Sequence, residues 1–110
     1  MNRPLILVAS EAGISIRNLS DVSNAVGATF GTRGLILEET GISADFFDLK
    51  TGLAGELFQK FENYKLRLGI VVPSPERYWE RFKELAREHK THNRIRIVGS
   101  REEAEAWLTT

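Results

Sequence analysis

Three short apolar runs dominate the sequence: Gly34-Leu35-Ile36-Leu37, the stretch 66–72 (Leu-Arg-Leu-Gly-Ile-Val-Val) and Ile95-Arg96-Ile97-Val98. Each has strand length, and the segment between one run and the next carries a helical pattern. Between the first two, Leu49, Leu53, Leu57, Phe61 and Tyr64 recur near a period of four, with Phe58 widening the stripe. Between the second and third, Ser74-Pro75-Glu76 has the composition of a helix start, and Tyr78, Phe82 and Leu85 supply a buried face. Strand, helix and strand at crossover spacing predict right-handed connections and a largely parallel sheet whose last three strands are the most buried. After the last run, Ser100-Arg101-Glu102-Glu103 forms a capping box that opens a helix burying Ala104, Trp107 and Leu108.

The first third of the chain reads differently. Residues 4–9 are expected to form a buried strand and Ser10-Glu11-Ala12-Gly13 a turn, and Ile14-Ser15-Ile16 alternates with period two. The hairpin-sized gap predicts an antiparallel pair. Ser20-Asp21 then starts a helix that buries Val22, Ala25 and Val26. The expected order is ββαβαβαβα, an α/β fold with a five-stranded mixed sheet and flanking helices.

With 110 residues, 42% apolar and 27% charged, the chain is expected to fold as one domain spanning 1–110 without metal or disulfide staples. Lys plus Arg and Asp plus Glu both total 15, so no global charge attracts nucleic acid or an anionic membrane surface. Cysteine is absent, which removes disulfides, thiolate metal sites and cysteine nucleophiles and fits a reducing compartment. The run Leu5-Ile6-Leu7-Val8-Ala9 is too short for a signal or spanning segment, so a cytoplasmic location is expected. No motif calls for a cofactor.

The functional surface is expected at Asp45-Phe46-Phe47-Asp48-Leu49-Lys50-Thr51-Gly52-Leu53-Ala54-Gly55-Glu56-Leu57, between the end of a parallel strand and the longest helix. Open α/β sheets bind ligands at that edge, and free N–H groups at a helix N-terminus favour an anion. Asp48 is placed as the cap and Thr51 in the first turn. Gly52 and Gly55 weaken the helix, so they are expected to serve close packing on the sheet or an approaching partner. Adjacent Phe46 and Phe47 cannot readily both face the core, so one is expected to cover a pocket or dock a partner. Lys50-Thr51 lacks the preceding G-x-x-x-x-G of a nucleotide-triphosphate loop.

The same residues carry two resemblances. Segment 34–108 resembles an uncharacterised bacterial family, domain of unknown function 4180, through residues 45–56, Gln59-Lys60-Phe61, Asn63-Tyr64 and Leu68-Gly69-Ile70-Val71. It has Val72-Pro73-Ser74 where the family pattern has a Gly-Asp pair. The chain as a whole is similar to STAS (SpoIIAA-like, anti-sigma factor antagonist) domains, whose Asp-Ser-Ser-Gly-Leu-like motif opens the helix after the third strand. Asp48-Leu49-Lys50-Thr51-Gly52-Leu53 is similar, with one extra residue. That likeness implies a STAS-like fold, a regulatory module without enzymatic activity, and a protein partner such as a kinase or an anti-sigma-like regulator. It also implies Thr51 as phosphoacceptor, with Asp48 as its acidic neighbour. A phosphate there would add about −1.5 to −2 charges and repel an acidic partner surface. The alternative is a domain that binds an anionic or amphipathic small molecule at the same helix N-terminus.

Other constellations read as structural. His89 and His92 lack an evident third metal ligand. The carboxylates Glu38, Glu39, Asp45 and Asp48 have no obvious nucleophile–base pair beside them. The charges of 76–90 interleave as a solvated helix face, with Trp79 off the buried line.

Overall fold

The structure, a computed structural model, describes residues 5–110. In chain order, β1 (Leu7–Val8) passes directly into α1 (Ala9–Ala12), followed by α2 (Leu19–Thr29) and β2 (Leu35–Glu38). A 3-10 turn (Glu39–Gly41), α3 (Ala44–Phe47), a second 3-10 turn (Leu49–Thr51) and α4 (Leu53–Asn63) lead to β3 (Leu68–Val71). A third 3-10 turn (Pro75–Arg77), α5 (Glu80–Glu88), β4 (Ile95–Val98) and α6 (Arg101–Leu108) complete the chain. Among the described residues the sheet has four strands, all parallel, in the order β1-β2-β3-β4. None of the helices there is long and apolar enough to cross a membrane.

Alternation along the strands assigns the two faces. Leu35, Leu68 and Ile95 lie side by side, as do Leu37, Ile70 and Ile97, and these rows pack on the buried residues of α2, α4 and α5. Three successive crossovers thus place their helices on one face, as crossovers of one hand require. The opposite face, with Ile36, Val71 and Val98, packs on Ala104, Trp107 and Leu108 of α6. Gly69 makes that packing close: a Cβ there would lie 3.1 Å from the Ala104 Cβ. Ser100 caps α6 by accepting from the Glu103 N–H at 3.2 Å, as the capping box predicts.

The expected five-stranded mixed sheet is corrected here. Pro4 lies outside the described residues, and Ala9 already belongs to α1. That helical turn, closed by Gly13 at φ 71°, carries the chain away from β1, whose partner is β2. Ile16 makes only an isolated parallel bridge to Ile42, with its N–H donating to the Gly41 carbonyl at 2.8 Å. Burial of Ile16 beneath that segment, rather than hairpin pairing, accounts for its apolar character.

The start of α5 also differs. Ser74 makes no capping bond, and Pro75–Arg77 forms a single 3-10 turn. Tyr78 and Trp79 are extended (ψ 178° and 159°), so α5 begins only at Glu80. At the free edge of β4, the His89 carbonyl accepts from Ile97 N–H, and His92 Nδ1 accepts from the N–H groups of Arg94 and Ile95. Both histidines therefore help close a sheet edge that would otherwise invite pairing.

Candidate functional site

A strand order without reversal produces no crevice of the kind that doubly wound sheets use. One concavity forms between the connections that follow β2 and β3, where residues 44–48 meet Tyr78 and Trp79.

Phe46 and Phe47 occupy consecutive positions of the one-turn helix α3, and both are buried, at 0% and 9% exposure. Phe46 is a core residue, ringed edge-on by Phe47, Phe58 and Phe82 at 5.4, 6.2 and 6.4 Å. The expectation that Phe46 belongs to a contact surface is thereby corrected. Phe47 points to the margin of the core, where it stacks flat on Tyr78, centroids 4.0 Å apart. The Tyr78 hydroxyl donates a short hydrogen bond to Glu39 Oε2. Burial, then the Glu39 hydrogen bond and charge, push the Tyr78 phenol up to about 12, against a smaller opposing influence from Arg77.

Phe47 and Tyr78 floor a cavity of about 310 Å³ bounded by Ala44, Asp45, Asp48 and Trp79. A second cavity of about 240 Å³ adjoins it, lined by Asp48, Leu49, Lys50, Trp79 and Arg81. Trp79 stands between the two, 66% exposed. The residues of the predicted segment are thus joined by Tyr78, Trp79 and Arg81, which the local pattern assigns to a continuous helix. The Ser-Pro-Glu start hid the break, because nothing local signals the Tyr78–Phe47 stack.

Asp48 caps the 3-10 turn rather than α4, its Oδ1 accepting from Lys50 N–H at 3.2 Å, and Lys50 itself is exposed. Thr51 ends that turn and is exposed, so it precedes α4 instead of lying in its first turn. Its Oγ1 donates to the carbonyls of Asp45 (2.6 Å) and Asp48 (2.9 Å) and accepts from Leu53 N–H (3.3 Å). One hydroxyl therefore ties α3 to the start of α4. Gly52 adopts φ 80°, the left-handed conformation that glycine enters without strain. Neither Gly52 nor Gly55 presses on the sheet, because a Cβ at either would meet nothing within 4 Å. Nothing in the structure requires glycine at position 55.

Of the other candidate carboxylates, Glu38 accepts from Ser10 Oγ at 3.2 Å, and Glu39 from Tyr78. Among the described residues, no three His, Asp or Glu side chains are grouped to hold a metal ion.

These features define a small α/β domain with a four-stranded parallel sheet and an aromatic, partly acidic cavity beyond two strand ends. The family model for the domain of unknown function DUF4180 matches residues 1–108, and the chain belongs to that family. No curated protein and no solved structure matches it.

Proposed function

We propose that this protein is a cytoplasmic regulatory module that binds a protein partner through the face formed by Asp45, Phe47, Asp48, Lys50 and Trp79. The observation that carries the reading is Trp79, a large aromatic 66% exposed between two cavities that share Asp48 as a wall. Tryptophan is among the residue types enriched where binding energy concentrates in interfaces.

Thr51 supplies the switch in this reading, as in the STAS domains that the 48–53 sequence resembles. A phosphate on Oγ1 would remove the proton shared by the Asp45 and Asp48 carbonyls and set negative charge against both oxygens. The turn that shapes the cavity wall would have to rearrange, so modification by a kinase alters docking. The test is affinity capture from a lysate of the native host with wild type, Trp79→Ala and Thr51→Glu in parallel. Loss of the captured partner with both variants supports the reading. Equal capture by wild type and Trp79→Ala overturns it.

The cavity itself favours a second reading, a domain that binds an amphipathic small molecule. Its volume lies near the lower limit, about 300 Å³, of pockets that enclose ligands. The Phe47–Tyr78 floor suits an apolar group, whereas Asp45 and Asp48 disfavour an anionic one.

A further inference from the structure

The cavity beside Trp79 combines features that together specify a charge sign. Its floor and one wall are aromatic: Phe47, Tyr78 and Trp79. Among the described residues, the carboxyl groups that line it are those of Asp45 and Asp48, and neither forms an ion pair. Among the described residues, no basic residue lines it. Among the described residues, no cation of the chain sits over the rings of Phe47, Tyr78 or Trp79. Electron-rich ring faces and carboxylates without an ion-pair partner attract a cation.

We propose, resting on the partner-binding reading above, that this cavity seats the arginine side chain of a protein partner. Arginine fits better than lysine for two reasons. A planar guanidinium can lie against a ring while donating in a fork to a carboxylate, and it is more weakly hydrated than an ammonium. The chain uses the same contact elsewhere: the guanidinium groups of Arg67 and Arg96 lie 4.4 and 4.9 Å from the Trp107 ring centroid. The adjoining cavity has the opposite sign, with Lys50 and Arg81 against Asp48 alone. A partner segment with an acidic residue next to its arginine would therefore match both cavities across Trp79.

The experiment is a titration of the ¹⁵N-labelled full chain with N-acetyl-arginine amide, N-acetyl-lysine amide, N-acetyl-citrulline amide and tetramethylammonium. The Trp79 indole N–H signal is followed, with the Trp107 indole as internal control. The arginine probe is expected to shift Trp79 saturably and the neutral citrulline isostere to leave it unmoved. The variant Asp45→Asn/Asp48→Asn should weaken the arginine response roughly tenfold, and added salt should reduce it. Equal shifts from arginine and citrulline, or an unchanged response in the double variant, would overturn the proposal. Saturation by tetramethylammonium without an arginine response would reassign the cavity to a small-molecule cation and overturn it as well. If the arginine response fails while Trp79→Ala still loses the captured partner, the anchor is wrong and the binding face stands. If the response is present but capture does not depend on Trp79, the partner-binding reading fails.

Discussion

The rings of Phe47 and Tyr78 lie parallel, 5° apart and 4.0 Å between centroids, and so clamp the connection after β2 to the connection after β3. Both connections leave the same end of the sheet, and the clamp turns two loops into one surface. Removing the Phe47 ring would take away the floor of the cavity and the support of Tyr78 together.

Tyr78 makes the clamp sensitive to alkaline pH. Its folded-state phenol, near 12, lies above the usual value of about 10. Between these values the unfolded chain loses a proton that the folded chain keeps. The contribution of Tyr78 to stability is therefore fully present below pH ~10 and is lost as pH rises toward ~12. Urea midpoints measured from pH 9 to 12 should fall more steeply for wild type than for Tyr78→Phe, which keeps the stack without the titrating group. Parallel curves would contradict this assignment.

Two aromatic truncations should separate core from surface. Phe46→Ala removes a fully buried ring from the aromatic cluster and is expected to cost about 3–5 kcal/mol. Trp79→Ala removes an exposed ring and should change stability by no more than about 0.5 kcal/mol. Chemical denaturation of the two variants checks both, and a large loss for Trp79→Ala would mean that the ring is structural.

The two glycines at the start of α4 should respond to alanine with opposite signs. Gly52→Ala forces a side chain into left-handed backbone and should cost roughly 1–2 kcal/mol. Gly55→Ala, in helical backbone with open space around it, should stabilise by about 0.5–1 kcal/mol. Thermal midpoints of the two variants moving in the same direction would refute this account.

Thr51→Val keeps the shape of the side chain and removes the hydroxyl that joins Asp45, Asp48 and Leu53. A loss of about 1 kcal/mol is expected, with faster hydrogen exchange at the Leu53 amide, whereas Thr51→Ser should behave like wild type. Unchanged exchange in Thr51→Val would show that the latch is inert. Mass spectrometry of protein purified from the native host tests whether Thr51 carries phosphate.

Local pattern was enough to determine the alternation of strands and helices from Leu35 onward, the parallel pairing of β2, β3 and β4, the capping role of Ser100 and most of the buried face of α4. Those features follow from periodicity and from side chains that bond to backbone within one turn, which adjacent residues encode. Family membership was likewise legible, in the run 45–56. Tertiary structure alone decided the rest. Whether Ala9–Ala12 makes a helical turn or a hairpin depends on Ile16 finding the 41–43 segment. The break at Tyr78 and Trp79 depends on Phe47 and Glu39, residues more than thirty positions earlier. Tyr64, predicted in the buried stripe, lies 52% exposed against Phe30, the residue just past the end of α2. Contacts between residues so far apart in sequence leave no periodicity behind, and the cavity beside Trp79 is built from such contacts.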